Sequence, residues 1–189
     1  NAALQYVGSW RTCLDIGSNI GQWTRPLSQK FETVICFEPN PNFRLCFDKN
    51  IKSENVVLWP FGISDRTHSA KQAFNSTVMS DSPGDVRCRT LDSFNLTKLD
   101  FVKIDVEGHE LEVLQGFGNL IKITKLIQFE FGGCNIDTRT FFQDFWYFFK
   151  EMNFLIYRIS PRGCTLIEFY SPREENFMTT NFVAINQNI

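Results

Sequence analysis

The sequence predicts an α/β fold: a doubly wound, mostly parallel sheet with helices on both faces. Three observations predict it. Short β-branched runs alternate with helical stretches, the pattern of parallel strands joined by crossover helices. A glycine turn, Asp15-Ile-Gly-Ser-Asn-Ile-Gly21, joins the first run to the first helix. Acids stand at the ends of three runs, at Asp15, Glu38 and Asp105, where open parallel sheets place their ligands.

The elements follow in order. Arg11–Ile16 reads as the first strand and Gln22–Lys30 as a helix, with Pro26 in the first turn if the regular part begins near Thr24. Thr33–Phe37 is the second strand, Asn42–Asn50 the second helix and Val56–Trp59 the third strand. Asp65 to Arg89 lacks a helical period and reads as a loop with one or two extra antiparallel strands. Phe101–Ile104 is the central strand, and Gly108–Phe117 is a helix whose Glu110 and Glu112 suit its dipole. Leu126–Phe131 is another buried strand. Phe141–Met152 is a helix with an apolar face through Phe141, Phe145, Phe148 and Met152. Phe154–Ile159, Thr165–Tyr170 and Asn181–Ile185 complete the strands.

The 189 residues suggest one domain, and a chain that opens on Asn1 reads as a domain cut from a larger protein. A hydrophobic fraction of 43% argues against disorder. The net charge of −2, without a basic run, argues against a nucleic-acid surface. No apolar run is long enough to span a bilayer. The six cysteines form no C-x-x-C pair, and several sit in apolar runs. They read as reduced thiols, hence a cytoplasmic protein. The sequons at Asn75 and Asn95 read as chance matches.

The glycine turn is Gly17-x-x-x-Gly21, not the dinucleotide G-x-G-x-x-G, and no Gly-Lys-Ser/Thr follows it. Asp15 at the strand end suits an amine-bearing ligand better than a pyrophosphate. S-adenosylmethionine fits, its ammonium toward the acid and its carboxylate toward free loop amides. Glu38, one βα unit later, stands where an acid binds ribose hydroxyls. Asp105, Glu107, His109 and Glu110 cluster where the fourth strand becomes a helix. Lys103, Asp105 and Glu107 share a face if the strand continues, and Lys103 then neutralises one acid. His109, Asp105 and Glu107 are the candidates for a base acting on a hydroxyl. Glu110 and Glu112 read as dipole complements. Asp105, Glu107 and Glu130 could also supply oxygens to a divalent ion; this reading is the less favoured, so no metal site is assigned.

These residues resemble the FkbM family of methyltransferases. The resemblance rests on DIGSNIGQWT at 15–24, FEPNP at 37–41, TLDSF at 90–94 and LDFVKIDVEGHELEVLQG at 99–116. It implies a class I methyltransferase (Rossmann-like) fold with a seven-stranded sheet, S-adenosylmethionine as cofactor, and O-methylation of a sugar or hydroxylated metabolite. By similarity the cofactor contacts are Asp15, Gly17, Ser18, Asn19, Gly21 and Trp23 in the loop and Glu38 at the ribose. Gly62, Ile63 and Asp65 flank the adenine. The acceptor is then a small molecule or glycan, with a fused or neighbouring glycosyltransferase as a plausible companion. An NAD-dependent oxidoreductase and a non-catalytic nucleotide-binding module are the other readings of such a sheet. The missing third glycine argues against the first, and the intact loop with both sets of acids against the second.

Overall fold

A computed structural model of the chain describes residues 2–72, 79–80 and 84–189. The sequon at Asn75 and part of the segment between Asp65 and Arg89 lie outside the described residues.

The chain runs β1 (Thr12–Ile16), α1 (Thr24–Ser28), β2 (Thr33–Phe37), α2 (Pro41–Asn50), β3 (Val56–Trp59), β4 (Gly62–Ile63), β5 (His68–Gln72), β6 (Met79–Ser80) and β7 (Val86–Arg89). It continues with β8 (Phe101–Ile104), α3 (Glu110–Gln115), α4 (Leu120–Ile123), β9 (Leu126–Phe131), α5 (Cys134–Thr138), α6 (Phe142–Glu151), β10 (Phe154–Ser160), β11 (Gly163–Leu166) and β12 (Thr180–Asn186). The main sheet has the order β11-β10-β12-β9-β8-β1-β2-β3. Its five strands from β3 to β9 are parallel, and β12, β10 and β11 are antiparallel. A smaller sheet, β4-β7-β5-β6, places three strands after Asp65 where one or two were expected; β5 is antiparallel to β6 and β7, and β4 is parallel to β7.

The sheet therefore has eight strands, not seven. The count of seven comes from the resemblance; the sequence pattern itself marks eight runs, and the edge strand β11 is the one expected at Thr165–Tyr170. Gly163, at φ +114°, lets the chain reverse directly after β10. The late strand consequently starts before Thr165 and ends at Leu166, short of the expected Tyr170.

Alternation along the strands gives the sheet two different faces. One buries Leu14, Ile16, Val102, Ile104, Ile127, Phe129 and Phe131 beneath α3, α4 and α6. The other buries Cys13, Val34, Cys36, Phe101, Leu126 and Val183 against Leu27 of α1 and Phe47 of α2. The buried residues of α6 are Phe142, Phe145, Trp146 and Phe149, so the expected stripe is corrected by one position. Phe141 precedes the helix and is 50% exposed, and its N–H donates to Asp144 Oδ2 at 2.8 Å. Phe148 and Met152 are only partly buried against this core. Among the described residues, no helix is long and apolar enough to cross a membrane.

Candidate active site

The strand ends that face one way in the parallel sheet build the site. After β1 the chain turns through three residues at positive φ: Gly17 (+81°), Asn19 (+50°) and Gly21 (+90°). At Gly17 only glycine fits, because a Cβ there would lie 1.9 Å from the carbonyl oxygen of Asp105. A Cβ at Gly21 would meet the Ile51 side chain at 2.7 Å, so Gly21 serves the packing of the loop on α2. The Gly17 and Ser18 N–H groups both donate to the Phe37 carbonyl, at 3.0 and 3.1 Å. Gly21 N–H donates to the Ser18 carbonyl at 2.8 Å. These amides are engaged inside the protein, contrary to the expectation that the loop would offer them to a ligand.

Glu38 ties this loop to the next one. Its Oε2 accepts from Asn19 N–H at 2.9 Å and its Oε1 from Asn40 N–H at 2.8 Å. Each oxygen keeps a further lone pair for a ligand. Burial raises its pKa against the pull of these two bonds. Asn40 also caps α2, its Oδ1 accepting from Asn42 N–H at 2.9 Å.

A cavity opens between these loops. Gly17, Ser18, Asn19, Gln22 and Trp23 line one side, Glu38, Pro39 and Phe43 the second, Phe61, Gly62 and Ile63 the third, and Asp105, Val106 and Glu107 the floor. Phe61 stands before an aromatic wall, with Trp59 at 6.3 Å and Phe94 at 6.0 Å between ring centroids. The Ser18 hydroxyl is buried and takes no hydrogen bond.

Four expected site residues lie outside this lining. Asp15 is 1% exposed and sits beneath the loop, where it accepts from Thr24 Oγ1 at 2.6 Å. Burial lifts its carboxyl to about 6, against the opposing pull of Thr24 and Lys103. Gly21 is the packing glycine described above. Asp65 pairs with Arg66 at 2.9 Å. His109 precedes α3 with its Nδ1 3.7 Å from Glu112 Oε1. Asp105 and Glu107 do reach the cavity, and Lys103 is the predicted counter-ion. It is fully buried, 2.8 Å from Asp105 Oδ2 and 5.3 Å over the Trp23 ring. Among the described residues, no group of three or more His, Cys, Asp or Glu could hold a metal ion, so the structure does not gather Asp105, Glu107 and Glu130 as a ligand set.

Glu110 does more than the sequence reading assigned to it. It stands in the first turn of α3, where it suits the dipole, and is 1% exposed. Its Oε1 accepts from Val106 N–H at 2.9 Å and its Oε2 from Gly108 N–H at 3.0 Å. The carboxylate thereby closes the turn that holds Glu107 at φ +57°. Burial raises it to about 7 despite these bonds. The signal was present: an acid two residues past a glycine can reach back to the amides of its own turn, as capping acids do.

This topology, with its cavity above the first parallel strands, is that of a class I methyltransferase. A FkbM-type methyltransferase from Methylobacillus flagellatus KT superposes with a TM-score of 0.60 at 17% identity, over 92% of this chain and 43% of that one. A Streptococcus mutans protein assigned as a methyltransferase and solved with SAH superposes with a TM-score of 0.58 at 11% identity, over 98% and 93%. Residues 15–156 match the Methyltransferase FkbM domain; the chain belongs to the FkbM methyltransferase family. The hexuronic acid methyltransferase AglP of Haloferax volcanii is 32% identical over 126 residues, 60% of this chain and 52% of that protein. The chain thus spans about half the length of that relative.

Proposed function

We propose that the chain is an S-adenosylmethionine-dependent O-methyltransferase that methylates a hydroxyl of a saccharide. The observation that carries the cofactor is the charge of the cavity. Its lining holds three carboxylates, Glu38, Asp105 and Glu107, and no lysine, arginine or histidine. Such a lining repels a pyrophosphate, which disfavours a dinucleotide, and attracts a ligand bearing an ammonium and a sulfonium. Glu38 would accept from the ribose hydroxyls, and Phe43 and Phe61 would flank the base. Asp105 would face the ammonium in place of the buried Asp15. The orphaned Ser18 hydroxyl would take the ligand's carboxylate. When bound, S-adenosylmethionine supplies an electrophilic methyl group with a neutral thioether as leaving group.

The protein's part is then alignment, exclusion of water and removal of a proton. Gly17 lets the β1 loop close on the Asp105 carbonyl, and Glu110 fixes the turn that carries Glu107. The saccharide reading is supported by the relative that acts on a hexuronic acid. On this reading the acceptor is a glycan product of a glycosyltransferase, fused or separate. The test is methyl transfer from labelled S-adenosylmethionine to a panel of neutral and uronic-acid oligosaccharides, with the site located by mass spectrometry. Label on a sugar oxygen is the expected result. Label only on protein, or binding of NADH in preference to S-adenosylmethionine, would sink the proposal.

A further inference from the structure

We propose that Glu130 is the general base that removes the acceptor's hydroxyl proton, held for that role by the amide pair Gln128 and Asn181. The inference rests on the methyltransferase reading above and assigns the acceptor side of the same site.

The placement follows from the sheet. In the β8–β9 pair Lys103 is beside Gln128 and Ile104 beside Phe129, so the next residues come side by side, Asp105 just past the end of β8 and Glu130 still within β9. Asp105 lines the cavity. Glu130 is one strand further along the edge, roughly 5 Å away by the usual strand spacing. An acceptor lying over β8 and β9 would have the cavity on one side and Glu130 on the other.

The orientation follows from hydrogen bonds. Gln128 is 2% exposed, and its Nε2 donates to Asn181 Oδ1 at 2.8 Å. That bond turns the Asn181 amide so that its Nδ2 donates to Glu130 Oε2 at 3.5 Å. Asn181 lies opposite Glu130 in the β9–β12 pair, so the backbone fixes the same arrangement. Oε1 of Glu130 is the oxygen left for a hydroxyl. A base oriented by a third group is the usual construction of such sites.

The neighbours decide which acid takes the proton. Facing Glu130 are Asp105 and Lys103 from β8, Glu107 from the following turn, the Cys134 thiol from α5 and the Asn181 amide from β12. Asp105 is bonded to the buried Lys103 ammonium at 2.8 Å, and protonating it would strand that cation. Glu107 accepts from Cys134 Sγ at 3.2 Å. Glu130 has only the neutral amide. Burial, then Asp105 and Glu107, raise its carboxyl to about 7, with Lys103 and Asn181 pulling the other way. A base is most effective with its pKa near the working pH.

In the step, a bond forms between the acceptor oxygen and the methyl carbon as the sulfur–carbon bond breaks. The electron pair stays on sulfur, and the hydroxyl proton passes to Glu130 Oε1 and later to solvent.

The test compares wild type, Glu130→Gln, Glu107→Gln and Asn181→Leu in three measurements. Calorimetry with S-adenosylhomocysteine should give the same affinity in wild type and Glu130→Gln. A carboxyl ¹³C NMR titration of the unliganded protein should show a glutamate titrating near neutrality that Glu130→Gln removes and Asn181→Leu moves upward. Methyl transfer to the oligosaccharide panel should fall about 10²–10⁴-fold in Glu130→Gln, with loss of the wild-type rise in rate with pH. Glu107→Gln should keep that rise. Loss of the rise in Glu107→Gln instead, or a Glu130→Gln rate within a few-fold of wild type, overturns the inference. So does a titration that Glu130→Gln leaves unchanged, a reading that needs no acceptor. A wild-type protein that fails to bind S-adenosylhomocysteine refutes the proposed function instead.

Discussion

The two faces of the central sheet are made by the same strands and differ in kind. Beneath α3, α4 and α6 the face is apolar to its end, through Ile16, Ile104, Phe129 and Phe131. Phe129 stacks on Phe145 with centroids 5.0 Å apart. The face beneath α1 and α2 begins in the same way, with Cys13, Phe101 and Leu126. One alternation later it carries Asp15, Lys103 and Gln128, all at most 2% exposed, and one later still Asp105 and Glu130. The first face stabilises the domain. The second accepts the cost of buried charge where a cationic ligand is to be met. The lesson is that polarity along one face of a sheet, rather than along its sequence, marks the site.

The most severe break in this comparison is on the polar side. Gly17→Val should abolish S-adenosylhomocysteine binding in calorimetry, because any side chain there overlaps the Asp105 carbonyl. Retained binding would mean that the loop does not shape the cavity.

Next come two substitutions of similar size and different signature. Phe145→Ala should cost about 3–5 kcal/mol in urea unfolding at any pH, and leave cofactor affinity intact. Lys103→Met should cost about 3–5 kcal/mol near pH 8, by leaving Asp105 and Asp15 uncompensated. Near pH 5 the cost should shrink, as Asp15, raised to about 6 by burial, takes up a proton. Equal costs at both pH values would remove the charge argument for Lys103.

A smaller effect concerns the wild-type pH profile. Asp15 is raised to about 6 and Glu110 to about 7, both chiefly by burial. Groups raised in the folded state favour folding below their unfolded values, and that contribution is lost as pH rises through the folded ones. Stability should therefore fall between about pH 4 and pH 7, and Glu110→Gln should flatten its share. A profile that rises over this window would contradict the burial of these acids. The smallest effect is a count: six thiols should react in denaturant without reductant, since all six cysteines carry thiols rather than disulfides.

The parallel core was legible because its strands are short, mostly apolar runs rich in β-branched and aromatic residues. β2, β3, β8 and β9 have the boundaries expected from sequence. The glycine turn and Glu38 were legible because their chemistry is local. What escaped depends on neighbours distant in sequence. The α6 stripe was right at Phe145 and off by one residue at Phe142 and Phe149, since the helix begins after Phe141. The late strand expected at Thr165–Tyr170 is shifted to Gly163–Leu166 because the chain reverses at Gly163. Asp15 looked like a ligand contact from its place at the strand end, and nothing in the sequence marks that it is buried with Thr24 donating to it. Glu130 becomes meaningful only when β12 brings Asn181 beside it.

On the proposed function the acid-lined cavity holds the adenosyl group with Glu38 at its ribose. Calorimetric titration of wild type and Glu38→Ala with both S-adenosylmethionine and S-adenosylhomocysteine tests it most directly. The account predicts one site in wild type and a loss of at least about tenfold for both ligands in the variant, since both carry the same ribose and a hydrogen bond to a charged group is worth about 1.5–3 kcal/mol. Unchanged affinity for both ligands in Glu38→Ala would contradict it.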